Sequence, residues 1–164
     1  MTDETADVTT ALPGRKPEPL RLSWDSSILI AFLNGEPAGA GGADVVNAVD
    51  AGQATLISSA VVVAEVLRPK YDAATLALYD RAFGLPGVEV VNVDADLARF
   101  AADLRAECPR SEKGRTLQVA DAIILATAVR HTDVLYARDR HLLRLNGHAL
   151  TGGLTIIELP PAAA

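Results

Sequence analysis

Short apolar runs alternate with helical stretches along nearly the whole chain. Runs rich in aliphatic and β-branched residues predict five strands, at LRLS (20–23), ATLIS (54–58), VEVVNV (88–93), VLYA (134–137) and LTIIEL (154–159). The intervening segments predict helices at Ser26–Asn34, Ala43–Ala51, Ala60–Leu67, Asp72–Phe83, Asp94–Glu107, Leu117–His131 and Asp139–Leu145. Strands that are apolar throughout and alternate with helices predict an α/β fold with a parallel sheet covered on both faces.

The chain has 164 residues, 49% of them hydrophobic, which suits one domain with a sizeable core. Residues 1–19 hold Thr, Pro and charges without an apolar period, so we predict a flexible tail there, a folded domain at 20–159 and a frayed end at 160–164. No apolar run is long enough to span a membrane, and the acidic start does not resemble a signal peptide. We therefore expect a soluble, cytoplasmic protein.

Charge and cysteine content exclude some functions. The single Cys108 cannot form an internal disulfide, and no Cys/His group has the spacing of a zinc site. The net charge of −6 argues against a protein that simply coats nucleic acid. The basic residues nevertheless form two clusters: Arg110, Lys113 and Arg115 in one, and Arg138, Arg140 and Arg144 in the other. Solvated helix faces explain such clusters more often than binding does.

Four acids stand in apolar surroundings. Asp25 directly follows the first predicted strand in WDSSILIAFL, and Glu65 lies in SSAVVVAEVL after the second. Asp121 opens the apolar helix TLQVADAIILATAV, and Asp139 follows the fourth strand in YARDRHLL. Each has an ordinary explanation when taken alone. Asp25 suits a helix N-cap, Glu65 a solvent-facing position, and the other two suit the positive end of a helix dipole.

Taken together, the four acids predict a metal site. Positions at the carboxyl ends of parallel strands converge on one crevice. Two carboxylates about 4 Å apart repel by roughly 4 kcal/mol at an effective dielectric near 20, so four in one pocket require protonation or a hard divalent cation. Carboxylate ligands without His or Cys suit Mg²⁺ or Mn²⁺ rather than zinc.

Such a metal site is suited to phosphate chemistry, because the metal lowers the pKa of a bound water and stabilises developing negative charge. Three arginines beside the third and fourth acids, Arg115, Arg138 and Arg140, are the predicted contacts for substrate phosphates. The residues by themselves therefore predict a metal-dependent phosphodiesterase.

The four motifs DSSILIAFL, SAVVVAEVL, VADAIILATAV and VLYARDRHL, in this order, resemble those of the PIN-domain nucleases and, within that family, the VapC-type ribonuclease toxins of bacterial toxin–antitoxin pairs. The resemblance extends over Leu20 to Leu159. It implies a three-layer α/β/α sandwich around a parallel five-stranded sheet and a homodimer. It also implies an Mg²⁺- or Mn²⁺-dependent endoribonuclease that cuts RNA and is restrained by a small cognate antitoxin.

By the same resemblance, the metal-binding and catalytic acids are Asp25, Glu65, Asp121 and Asp139. On the same basis, Ser26 supports the first acid without binding the metal itself. Three positions depart from the family pattern: Ala137 replaces a usual Thr, His141 a frequent acid, and Leu142 a common aromatic residue.

Two other functions stay open. A PIN domain that binds RNA or protein without cutting is favoured by Ala137, because the missing hydroxyl weakens the support of the metal's water shell. A receiver-like phosphoacceptor domain would also have a doubly wound sheet and an acidic pocket. That chemistry requires paired acids after the first strand and a Lys after the last, whereas the chain has WDSS and no Lys beyond Lys113.

Overall fold

A computed structural model describes residues 18–67 and 71–162 of the protein. The five strands are β1 (Leu20–Trp24), β2 (Ala54–Ser59), β3 (Val88–Val91), β4 (Val134–Tyr136) and β5 (Thr155–Ile157). The α-helices are α1 (Ser26–Leu33), α2 (Gly42–Asp50), α3 (Ala60–Val66), α4 (Ala73–Phe83), α5 (Ala95–Glu107), α6 (Val119–His131) and α7 (Arg140–Leu143). Most of the predicted tail lies outside the described residues, so its flexibility stays a prediction.

All neighbouring strands pair in parallel, in the order β3-β2-β1-β4-β5. The chain builds outward from β1 to β3, then crosses back to place β4 on the other side of β1. The boundary between β1 and β4 is therefore the topological switch point, where open parallel sheets form a crevice beyond the carboxyl ends of their strands. The predicted α/β class with a five-stranded parallel sheet is confirmed.

Helices flank this sheet as the three-layer prediction requires. Helix α6 packs against α5, β2 and β4, whereas α1 packs against α2, α3 and α4. The core includes the fully buried Leu29 of α1, Leu125 of α6 and Leu135 of β4. Within the described part of the chain, no helix combines the length and the apolar character needed to cross a bilayer.

Helices α6 and α7, which hold or follow two of the predicted acids, have different limits from those predicted. Helix α6 begins at Val119 rather than Leu117, because Gln118 has the extended backbone of an N-cap residue, with φ −67° and ψ 158°. Helix α7 is a single turn of four residues, shorter than the predicted Asp139–Leu145. Residues 115–118 lie outside the helix, in the loop that leads into α6.

Candidate active site

The fold brings the four predicted acids to the same edge of the sheet. Asp25 follows β1 directly and Asp139 lies three residues after β4, so both stand at the switch point. Glu65 is in α3, which follows β2, and Asp121 is in the first turn of α6. The negative charges of Asp139, Glu65 and Asp25 all act on the Asp121 carboxyl group and raise its pKa. The other three acids thus act electrostatically on Asp121, and the four are called the acid cluster below.

Asp25 is a helix N-cap, as its ordinary explanation predicts, but it is bound far more extensively than a cap requires. Its Oδ1 atom accepts hydrogen bonds from the Ile28 N–H and the Ser27 hydroxyl, each at 2.8 Å. Its Oδ2 atom accepts from the Arg138 N–H at 3.2 Å, which joins the end of β1 to the loop after β4. The side chain lies in the interior, with the residue 4% exposed.

Burial and hydrogen bonding act on Asp25 in opposite directions. Desolvation is the larger effect and raises the pKa of this carboxyl group, while the bonds from Ile28, Ser27 and Arg138 lower it. Burial of a charged carboxylate costs free energy, and its hydrogen bonds offset part of that cost. Buried carboxyl groups whose pKa is raised in this way are candidates for functional sites.

Two adjacent serines serve two different acids. Ser26, predicted to support Asp25, instead donates its hydroxyl hydrogen bond to Glu65 Oε2. Ser27 supports Asp25 in its place. Sequence reasoning missed Ser27, although the Ser-Ser doublet after Asp25 was the available signal: residues one and two positions into a helix point in different directions.

Asp121 does not behave as a simple helix-dipole acid, for which the positive helix end would lower the pKa. Its pKa is raised from 3.8 to about 6. Burial is the largest cause, followed by the charges of Asp139, Glu65 and Asp25, and His141 opposes them. Helix α6 explains the burial, because Ile124, Leu125 and the residues around them are enclosed on nearly all sides.

Asp139 is an exposed N-cap of α7, so it lies at the N-terminal end of a helix, where its ordinary explanation places it. Its Oδ1 atom accepts from the His141 N–H at 2.6 Å and the Leu142 N–H at 3.3 Å. Of the three positions that depart from the family pattern, Ala137 and Leu142 are fully buried. His141 is bonded through Nε2 to the Pro109 carbonyl oxygen at 2.7 Å.

A basic cleft of about 410 Å³ opens beside the cluster, with Asp121 and Asp139 in its lining. The cations that line it are Lys113, Arg115, Arg138, Arg140 and Arg144. The three arginines predicted as phosphate contacts are therefore in one cleft. Lys113 and Arg144 belong to the two basic clusters of the sequence, but their sequence positions do not assign them to the site. Two of the arginines are already paired, Arg138 with Glu36 at 3.2 Å and Arg144 with Glu112 at 3.3 Å.

The cluster suits a loosely held divalent cation. Its ligand atoms are all carboxylate oxygens, which are the ligands of Mg²⁺ and Mn²⁺. Within residues 18–67 and 71–162, no three His, Cys, Asp or Glu side chains lie close enough together to hold an ion by themselves. Mg²⁺ keeps several waters and is commonly held by one or two carboxylates plus substrate phosphates. The donors therefore fit a hydrated cation rather than a closed protein cage.

The family model of the PIN domain matches residues 24–147, about three quarters of the chain and all four acids. The chain belongs to the PIN-domain family. PIN domains are generally nucleases, and PIN-domain nucleases are generally dependent on divalent metals. No curated protein matches the sequence.

Solved structures carry the same fold as this PIN domain. One is a chain of VapBC2 from Rickettsia felis, bound to a DNA fragment from their promoter. It is 17% identical, covers 84% of this chain and 97% of its own length, and has a TM-score of 0.59. At this identity the likeness concerns the fold alone.

Proposed function

We propose that the protein is an Mg²⁺- or Mn²⁺-dependent endoribonuclease. The observation that carries this proposal is the set of four acids at one edge of the sheet, two of which, Asp121 and Asp139, line a basic cleft. The cations of the cleft suit the phosphates of a nucleic-acid strand. The acids suit a divalent cation at the phosphate to be cut. A protein that only bound RNA, through the RNA's phosphate backbone, would need the cations of the cleft. The negative charge of the acids would weaken its affinity for RNA.

Each acid has a role in this proposal. Asp25, Glu65, Asp121 and Asp139 would hold the cation together with the waters of its own shell, and the bound cation would activate water and neutralise charge on the phosphate. Ser27, Ile28 and the Arg138 N–H hold the Asp25 carboxylate in one orientation.

The basic side chains then position the substrate. Arg115 and Arg140 line the cleft beside the acids, and we assign them to substrate phosphates. Lys113 lines the same cleft and joins this set. Removal of these cations should weaken binding uniformly across RNA sequences, because phosphate contacts carry little sequence information.

We further propose that the enzyme is the toxin of a VapC-type toxin–antitoxin pair and forms a homodimer. The motif order of the sequence and the fold shared with VapBC2 support this proposal. An antitoxin segment that offers Arg or Lys to the acid cluster would neutralise the carboxylates and occlude the cleft. Co-expression of a small protein encoded beside the gene should suppress toxicity, and size-exclusion chromatography should show a dimer.

A PIN domain that binds without cutting is the second candidate, and Ala137 is the observation that favours it. This residue is fully buried and brings no hydroxyl to the end of β4. Against this candidate stands the complete set of four acids, which binding alone does not require. The receiver-like function is weaker still, since Asp25 follows Trp24 and has no acidic neighbour in sequence.

The proposal is tested by a cleavage assay on structured RNAs with Mn²⁺, with Mg²⁺ and with EDTA. We expect cleavage with either metal and none with EDTA. Asp121→Asn should lower the rate on the order of 100-fold or more, because it weakens the site of the cation that stabilises transition-state charge. The matched control is Asp103→Asn on α5, an exposed acid outside the cleft, which should cut like the wild type.

Three outcomes would contradict the proposal. Cleavage that persists in EDTA would show that the reaction does not depend on a metal. Tight RNA binding without cleavage under any condition would favour the binding module. Cleavage of the matching single-stranded DNA at the same rate as the RNA would make the protein a nuclease without preference for RNA.

A further inference from the structure

Arg138 occupies a position between the cleft and an acid outside it. The residue lines the cleft next to Asp139, yet its guanidinium Nη1 atom lies 3.2 Å from Glu36 Oε2. Glu36 is in the loop after α1 and does not line the cleft. Its other carboxylate oxygen accepts a hydrogen bond from the Asn34 side-chain amide at 3.3 Å. Glu36 is thus held beside Arg138 by two contacts.

This ion pair is accessible to solvent and therefore weak. The side chains of Arg138 and Glu36 are 45% and 41% exposed. Exposed pairs of this kind contribute little to stability. A guanidinium group binds a phosphate with the same forked geometry as a carboxylate. A phosphate in the cleft can therefore take Arg138 from Glu36 at small cost.

From this competition we propose that Glu36 sets the affinity of the cleft by holding Arg138 away from substrate phosphates. The inference rests on the proposed ribonuclease function and adds an affinity-determining residue outside the acid cluster. Glu36 acts twice in the unfavourable direction. It competes for the guanidinium group, and once displaced it leaves a negative charge close to the bound phosphate.

The backbone and the side chain of Arg138 make different contacts, so the side chain can be tested by itself. Its N–H donates to Asp25 Oδ2, and this bond does not involve the guanidinium group. Arg138→Ala therefore removes the side chain and leaves the backbone contact to the acid cluster in place. Glu36→Gln keeps the shape of Glu36 and removes its charge.

The experiment measures the Kd of a fluorescently labelled single-stranded RNA by anisotropy, at fixed salt and with Mn²⁺. All variants carry Asp121→Asn so that the RNA stays intact. Glu36→Gln should tighten binding about 1.5- to 5-fold, the range expected from releasing an exposed ion pair. In a background that also carries Arg138→Ala, the same change should have no more than half of this effect on the logarithm of Kd.

The control for long-range charge is Glu89→Gln, an exposed acid on the edge strand β3. It should leave Kd nearly unchanged. Equal tightening by Glu36→Gln and Glu89→Gln, or equal tightening with and without the Arg138 side chain, would overturn the competition. Weaker binding by Glu36→Gln would show that Glu36 orients Arg138 for the phosphate instead.

Failure of the wider function has a different result. If no variant bound the RNA and the protein without Asp121→Asn cut none, both the ribonuclease function and the role of Glu36 would be overturned. If the RNA bound and was cut by the wild type while Glu36→Gln changed nothing, only the role of Glu36 would fall.

Discussion

Asp25 and Asp139 follow neighbouring strands and both cap the helix that comes next, yet their surroundings differ. Asp25 is enclosed at the central strand and accepts from three donors. Asp139 is exposed and accepts from two backbone N–H groups of a single helical turn. The same local sequence rule, an Asp before a helix, thus gives one acid fixed in the interior and one at the surface.

The cause of the difference is the packing that follows each acid. Helix α1 buries Ile28 and Leu29 almost completely, and β1 has strands on both sides. Helix α7 is one turn long and lies against the edge strand β5. Asp25 therefore has a structural role in addition to its proposed chemical one, whereas Asp139 has little structural role. The predictions below separate these two roles.

The largest expected effect is on stability. Asp25→Ala should lower the free energy of unfolding by about 2–3 kcal/mol, because it removes a cap and leaves buried donors without an acceptor. Asp139→Ala should cost about 0.5–1 kcal/mol, as an exposed cap does. Urea denaturation of the metal-free proteins measures both. Asp25→Asn keeps an acceptor oxygen and should cost less than Asp25→Ala. Equal losses in the free energy of unfolding for Asp25→Ala and Asp139→Ala would contradict the different structural roles of the two acids.

A smaller effect is expected from pH. The pKa of Asp121 is about 6 in the folded protein and 3.8 in the unfolded chain. The folded protein therefore binds more protons between these values, and stability falls as pH rises through that window. The raised pKa of Asp25 acts with the same sign. Discounted for solvent screening, the share of Asp121 is on the order of 1 kcal/mol between pH 5 and pH 7.

Urea denaturation at a series of pH values, without metal, measures this dependence. Asp121→Asn should reduce the loss of stability between pH 5 and pH 7 while leaving the part due to Asp25. Asp139→Asn should lower the pKa of Asp121 and reduce the loss less. An equal change in stability over this range for the wild type and Asp121→Asn would contradict the raised pKa of Asp121.

The smallest expected effect belongs to the serine that supports the buried acid. Ser27→Ala should cost about 0.5–1 kcal/mol, the value of one hydrogen bond to a partly buried acceptor. It should also lower RNA cleavage about 10-fold, the lower end for loss of a group that orients a metal ligand. Ser27→Thr keeps the hydroxyl and should retain most of the activity. Full activity of Ser27→Ala would show that the backbone N–H groups of Ile28 and Arg138 are enough to orient Asp25.

Local rules explain what the sequence could predict. The apolar periods located all five strands, and the Asp25 cap was recognised because its donors lie within three residues. The placement of the four acids at one edge of the sheet follows from the parallel order of the strands. Residue-level pairing within the site did not follow from local rules. Arg138 and Glu36 are 102 positions apart, and their pairing depends on how two loops approach each other.

The division between Ser26 and Ser27 was unpredictable for a related reason. Both are hydroxyl residues at the start of α1, and either suits a role near Asp25. Which one meets Asp25 depends on the rotation of α1 and on where α3 brings Glu65. Burial of Asp25 and exposure of Asp139 likewise reflect the packing of whole elements rather than the residues beside each acid.

The central claim is that the four acids form one cation-binding cluster, and thermal unfolding with Mn²⁺ tests it most directly. Binding to the folded state alone raises stability by about 2.7 kcal/mol at a Mn²⁺ concentration of 100 times Kd, which is a rise in Tm of several degrees for a domain of this size. Asp121→Asn should melt at the wild-type temperature or higher without metal, because it removes one repelling charge, and should respond less to Mn²⁺. Asp103→Asn should respond like the wild type. A wild-type Tm indifferent to millimolar Mn²⁺, or an equal response of all three proteins, would contradict a shared site.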